Sequence, residues 1–117
     1  MNYKIEFTAV FKRRIKKLSK KYPHIKQDFS DILDQLEKGR FQGDEVQGFQ
    51  GKVYKVRIAS SDQKKGKSGG FRFIYYIVFQ NETVYMMTAY AKSAQETLTN
   101  RQKEEIRVFI AAIHKST

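Results

Sequence analysis

The sequence predicts an α+β domain in the order β-α-α-β-β-β-α, with a mainly antiparallel sheet of about four strands, an N-terminal helical hairpin and a C-terminal helix. Three observations lead there. Strand-like alternation occurs at the start and again in three stretches after residue 51; two helical apolar stripes separate them; a capped amphipathic stretch closes the chain. Strands and helices that are segregated along the chain, rather than alternating, define α+β architecture. The 117 residues are 40% apolar and 14% aromatic, with one proline and seven glycines, a composition that folds around one core. Residues 1–117 are therefore read as a single domain.

Tyr3, Ile5 and Phe7 alternate with Lys4 and Glu6, as in a half-buried first strand. Thr8 is placed to cap a helix in which Phe11, Ile15 and Leu18 form the apolar stripe. After a turn at Tyr22-Pro23, a second stripe of Ile25, Phe29, Ile32, Leu33 and Leu36 ends at Gly39, and the two helices form the hairpin. Periodicity is lost from Arg40 to Gly51, which reads as loop. Lys52 to Ala59, Phe71 to Gln80 and Thr83 to Tyr90 are rich in β-branched and aromatic residues, and the middle one, the most apolar, is expected at the sheet centre. Thr99 to Gln102 has the spacing of a capping box ahead of Ile106, Phe109, Ile110 and Ile113.

Lysine and arginine total 23 against 12 acidic residues, a net charge of +11 that sets up an attractive field for a polyanion. Seven of these cations, Lys12, Arg13, Arg14, Lys16, Lys17, Lys20 and Lys21, fall within ten residues of the first helix. Such crowding is self-repulsive unless a partner compensates it, so RNA is the expected partner and this helix a contact surface. Lys64, Lys65 and Lys67, in the glycine-rich connection from Ser60 to Gly70, form a second basic segment. The absence of cysteine excludes disulfides, thiolate metal sites and cysteine nucleophiles. The opening residues lack the apolar run of a signal peptide and no apolar stretch is long enough to span a membrane, so a cytoplasmic address without a membrane partner is expected.

The candidate site lies on the strands. Tyr54, Val56 and Ile58 share one face of their strand, leaving Lys55 and Arg57 with Val53 on the other. Arg72 and Tyr76 fall opposite the apolar face of the next strand, and Tyr90 and Lys92 share a face where the last strand ends. If these faces coincide, Lys55, Arg57, Arg72 and Lys92 bind phosphates, with Tyr76 or Tyr90 available to stack on a base or donate a hydrogen bond. Each charge taken singly is the wet side of a sheet; convergence is what points to a site. Gly66-Lys67-Ser68 imitates the end of a nucleotide-binding loop, but Ser61 stands where the motif needs glycine and no helix follows. His24 and His114 have no metal-ligand partners at motif spacing, and Asp28, Asp31, Asp34 and Glu37 read as a polar helix face set against the basic first helix. No metal and no cofactor are expected.

Tyr54-Lys55-Val56-Arg57-Ile58-Ala59, Gly66-Lys67-Ser68-Gly69-Gly70-Phe71-Arg72-Phe73-Ile74-Tyr75-Tyr76 and Tyr90-Ala91-Lys92-Ser93 together resemble the RelE/ParE toxin superfamily, specifically its HigB-like branch. The resemblance implies a RelE/ParE-like fold and the toxin of a type II toxin-antitoxin module. It implies a metal-independent, ribosome-dependent endoribonuclease that uses a ribose 2′-hydroxyl to attack the adjacent phosphate, leaving a cyclic phosphate. Arg57 and Arg72 would then clamp the phosphate, and Lys55, crowded by cations, would act as or assist the base. The arginine and the tyrosine that RelE-type enzymes carry beyond this lysine are replaced around Ser93 and Leu98-Thr99, which leaves the general acid open among Lys92, Tyr90 and the ribosome–messenger complex. The implied partners are a cognate antitoxin protein, the ribosome and its messenger, and promoter DNA only through the antitoxin. A ParE-like gyrase inhibitor without nuclease chemistry, or a basic RNA- or DNA-binding module, are the alternatives.

Overall fold

Thr8 starts the first helix as its position predicts. Its hydroxyl accepts the Phe11 N–H (3.2 Å) and donates to the Met86 carbonyl (2.8 Å), so one side chain caps the helix and ties it to the sheet. The computed structural model describes residues 2–63 and 69–115. In chain order these form β1 (Lys4–Phe7), α1 (Ala9–Lys21), α2 (Ile25–Asp28), α3 (Ser30–Glu37), β2 (Asp44–Glu45), β3 (Lys52–Ile58), β4 (Phe71–Val78), β5 (Thr83–Ala91) and α4 (Asn100–Lys115).

The α+β class holds, with three differences in detail. The second predicted helix is broken at Phe29 into α2 and α3. The Phe29 ring packs among Phe11 and Phe73, with centroids 5.9 and 5.1 Å away, and the Ser30 hydroxyl turns back onto the Gln27 carbonyl (2.9 Å), an alternative to the helical ladder. The loop after Gly39 contributes a two-residue strand, β2, paired antiparallel with β3. Its approach depends on Gly43, where φ is +94° and a Cβ would lie 2.2 Å from the Lys55 carbonyl oxygen. The sheet is therefore five-stranded, in the order β1-β5-β4-β3-β2, with β4 at its centre and β1 parallel to β5 in an otherwise antiparallel set. The expected pairing of the acidic helix face with α1 is also not found: among the described residues no ion pair joins them, and Asp28 accepts the Ser61 N–H (3.0 Å).

Both faces of the sheet are covered. Against α1, α2 and α3 lie Val56, Ile58, Phe71, Phe73, Tyr75 and Met86 with Phe11, Ile15, Ile25 and Leu36. Against α4 lie Val53, Ile74, Tyr76 and Tyr90 with Ile106 and Ile110. The capping box forms as predicted: Gln102 N–H donates to the Thr99 hydroxyl (3.1 Å) and Thr99 N–H to the Gln102 side chain (3.0 Å). A bulge in β5, where Met87 is the extra residue opposite Ile74 and Tyr75, resets the alternation. Ala89 and Ala91 thereby face α1 while Tyr90 faces the α4 side.

Candidate functional site

The register that periodicity left open is decided by the ladders: Arg57 pairs directly with Arg72, and Arg72 with Tyr90. Directly opposite residues share a face with Cβ atoms about 4.5–5.5 Å apart, so the three make one row across β3, β4 and β5. The next row is Lys55, Ile74 and Thr88, and the one beyond it Val53, Tyr76 and Tyr85. On this face the sheet changes within two rows from core under α4 to two adjacent arginines and a lysine. Like charges directly opposite one another are destabilising, so setting Arg57 against Arg72 is a cost to the fold.

The row is held by its backbone surroundings. Gly70, just before β4, has φ +52°, and a Cβ there would lie 2.3 Å from the Ile58 carbonyl oxygen, so only glycine lets β4 begin this close to the end of β3. Its carbonyl accepts the Lys92 N–H (3.0 Å) and its N–H donates to the Gln63 side chain (3.0 Å). Gln63 in turn donates to the Tyr22 hydroxyl (3.2 Å). Three strand-end segments and the end of α1 are thereby joined at the mouth of the row. Reading the residues for charge passed over Gln63, Tyr22 and Gly70; the paired glycines before Phe71 were the available signal.

The expected site residues differ in what they offer. Arg57 is exposed at the edge of the sheet beyond β2, beside a cleft that Asp28, Asp31, Gln35 and Gln42 also line. Lys55 is half-buried, opposite Asp44. Arg72 is only 5% exposed, and its Nη1 donates to the carbonyls of Gly69 (2.9 Å) and Phe71 (3.2 Å), which orients the guanidinium. Lys92 lies just past β5, its ammonium held by the carboxylate of Glu96 (2.9 Å) and by the Glu96 carbonyl (3.0 Å). That hydrogen bond keeps the Glu96 carboxyl below its ordinary value.

Two aromatic expectations are corrected. Tyr76 is 3% exposed, stacked on Tyr85 and hydrogen-bonded to His114 Nε2 (3.2 Å) under α4, so it presents no ring to a base. Tyr90 is fully buried, which removes it from contact with a substrate and leaves it as a wall beside Arg72. Its hydroxyl and Thr88 Oγ1 are the buried side-chain polar atoms without a hydrogen-bond partner among the described residues. Burial raises the Tyr90 phenol above its ordinary value, against the pull of Arg72, so the hydroxyl stays a proton donor.

The α1 cations separate into groups. Arg13 pairs with Glu105 of α4 (3.2 Å) and Arg14 donates to the Ala89 carbonyl (3.1 Å), so both are structural ties. Lys12, Lys16, Lys17, Lys20 and Lys21 are exposed. Lys64, Lys65 and Lys67, with the rest of the expected basic loop contact, lie outside the described residues. His24 pairs with Asp62 through Nδ1 (2.7 Å) and its backbone N–H (3.0 Å). Among the described residues no group of three or more His, Asp or Glu is placed to hold a metal ion, and no helix is long and apolar enough to cross a membrane.

A helix-flanked sheet whose one face ends in paired arginines defines a small basic α+β domain. A family model described as the RelE toxin of the RelE / RelB toxin-antitoxin system matches residues 8–117, and the chain belongs to that family. Solved structures agree on the fold. A mutant of the Escherichia coli toxin RelE in the free state is 16% identical, over 90% of this chain and 94% of that one, with a TM-score of 0.57. The isolated E. coli RelE toxin is 17% identical over 92% and 98%, with a TM-score of 0.52. The intact E. coli RelBE toxin-antitoxin complex is 18% identical over 74% and 93%, with a TM-score of 0.50. At these identities the likeness is one of fold.

Proposed function

We propose that this toxin cleaves messenger RNA on the ribosome, and that the Arg57–Arg72 row with Lys55 is where the scissile phosphate sits. The observation carrying this reading is the directly opposed arginine pair: two cations in one cross-strand row gain from an anion placed between them what they lose to each other without it. Arg57, exposed at the edge, contacts the phosphate and stabilises charge on the phosphorane, and Arg72, 5% exposed and oriented by the Gly69 and Phe71 carbonyls, adds its positive field from within the row. The ribose 2′-oxygen attacks phosphorus as Lys55, acting in its amine form, receives its proton and becomes the ammonium. The bond to the 5′-oxygen breaks, leaving a 2′,3′-cyclic phosphate, and the departing oxygen takes a proton. Lys92 supplies it once phosphate has drawn the ammonium from Glu96, an exposed pair that costs little to break. Tyr90 positions Arg72 from behind.

The exposed lysines of α1, together with Lys64, Lys65 and Lys67, would seat the protein on ribosomal RNA through phosphate contacts that carry no sequence information. The proposed partner in restraint is an antitoxin protein, acidic where it docks, through which promoter DNA is also reached. A cytoplasmic location and the absence of a membrane partner are part of the same proposal. The test is primer extension on a messenger translated in a reconstituted reaction, beside the same RNA without ribosomes. Cuts within codons only where ribosomes translate are expected. No cuts in either reaction, with the protein shown to be folded, would overturn the nuclease reading, and blocked DNA supercoiling in a parallel assay would transfer the chain to gyrase inhibition.

A further inference from the structure

At the mouth of the arginine row, Gln63 and Arg72 hold opposite ends of one peptide group. The Gly69 carbonyl accepts Arg72 Nη1 (2.9 Å), and the Gly70 N–H, the other end of the same unit, donates to Gln63 Oε1 (3.0 Å). A trans peptide is planar, with its C=O and N–H pointing in opposite directions, so fixing one end aims the other. The two dihedrals that rotate this plane, ψ of Gly69 and φ of Gly70, both belong to glycines, whose missing Cβ makes such rotation cheap. Turned over, the plane would present its N–H to a guanidinium that has donors and no acceptor.

Gln63 is itself held. Its backbone N–H donates to the Ser60 carbonyl (3.2 Å), and its Nε2 donates to the Tyr22 hydroxyl (3.2 Å) and to Ser93 Oγ (3.5 Å). Tyr22, at the end of α1, is 4% exposed and set edge-on against Phe71, with ring centroids 5.1 Å apart. Because the Gly70 N–H can only donate, the carboxamide turns its oxygen there and leaves its nitrogen to the two hydroxyls, which can accept.

We infer that Gln63 is a positioning residue for Arg72, a role that rests on the catalytic reading of the arginine row. It holds the Gly69–Gly70 peptide in the orientation that offers the guanidinium a carbonyl, and the bond it accepts polarises that carbonyl toward Arg72. A glutamine that merely closed the connection from Ser60 to Gly70 would add stability and leave the guanidinium as it is. The Phe71 carbonyl still receives Nη1 (3.2 Å) when Gln63 is lost, so Arg72 is loosened and not released. The expected loss is that of one hydrogen bond, about tenfold in rate.

The experiment compares, in the full chain, Gln63→Met, which keeps the length of the side chain without its oxygen, and Gln63→Glu, which keeps an acceptor. In nitrogen-edited NMR spectra of the arginine guanidinium groups, the Nη protons of Arg72 should be resolved in the parent and in Gln63→Glu and merge through faster rotation in Gln63→Met. The Arg57 signals should be the same in all three. Tyr22→Phe, which removes only the hydroxyl that receives Gln63 Nε2, should change the Arg72 signals in the same direction to a lesser degree. In ribosome-dependent cleavage, Gln63→Met should lower kcat about tenfold with KM within about twofold of the parent. Gln63→Glu should recover most of that loss, any repulsion of RNA by its charge falling on KM. In an Arg72→Met background, Gln63→Met should cost less than about twofold more, since two residues that act through one guanidinium are not additive. Arg72 signals unchanged in Gln63→Met, or in Tyr22→Phe if Gln63→Met does not fold, overturn the inference. So does a loss of about tenfold that persists in the Arg72→Met background. The spectra need no substrate: if the parent cuts no RNA, the nuclease reading falls, while the Arg72 signals still decide whether Gln63 holds the guanidinium.

Discussion

The two faces of the sheet are built from the same strands and end differently. Toward α1 the rows Ile58–Phe71–Ala91, Val56–Phe73–Ala89 and Tyr54–Tyr75–Met86 are apolar or aromatic throughout, and Phe73 alone meets the rings of Phe11, Phe29 and Phe71. Toward α4 the row Val53–Tyr76–Tyr85 is core, yet two rows on, Arg57 faces Arg72. Because successive residues of a strand point to opposite faces, one face can hold the fold while the end of the other carries charge that opposes folding. Core packing and site charge are thus separable in this molecule at single-residue spacing.

That separation can be broken. The largest effect is expected on activity: Lys55→Ala should lower ribosome-dependent cleavage by about 10²- to 10⁴-fold, and Arg57→Ala by about 10²- to 10³-fold. Urea denaturation of Arg57→Ala should stay within about 0.5 kcal/mol of the parent, since the residue is exposed and its loss relieves an opposed charge. An unfolded Arg57→Ala would show that the row is structural. One position on from Arg72, on the opposite face of β4, Phe73→Ala should cost about 3–5 kcal/mol in the same denaturation experiment, because the ring is wholly buried in the aromatic cluster.

Smaller effects sharpen the contrast at places that touch neither face of the central strands. Thr99→Ala should remove about 0.5–2 kcal/mol by freeing the first turn of α4, with cleavage per folded molecule unchanged. The smallest effect concerns His24 and Asp62. The hydrogen bond between them raises His24 above 6.5 and lowers Asp62 below 3.8. The His24 contribution is complete below pH 6.5 and fades as pH rises through its raised value; that of Asp62 is complete above 3.8 and fades as pH falls through its lowered value. Thermal melts of the protein and Asp62→Asn should therefore differ most between these values and less on both sides, the part left at pH 9 being the carboxylate's bond from the His24 backbone N–H; a difference undiminished at pH 9 would show that the charge on His24 is not its source.

Much of this contrast was legible before the fold was known. Alternation separated Lys55 and Arg57 from Val56 and Ile58, and placed Arg72 opposite Phe71 and Phe73, because side-chain direction along a strand is a local property. The Thr8 cap and the Thr99–Gln102 box were equally local and formed as read. The break at Phe29 was not legible, since it comes from rings contributed by α1 and β4, nor was β2, whose two residues show no period. The burial of Tyr76 and Tyr90 was hidden for a related reason: alternation says which face a residue takes, and only the helix packed on that face says whether it is wet.

The sequence by itself determined the α+β class, the order of the principal elements, the strong positive charge and which residues share a strand face, since composition and period act within a few residues. The tertiary structure decided the register that sets Arg57 against Arg72, the bulge that turns Tyr90 to the α4 side, the parallel docking of β1 and the division of the α1 cations into ties and exposed charges. Each of these depends on contacts between segments tens of residues apart, where hydrogen-bond ladders and close packing choose among arrangements that local pattern leaves equal.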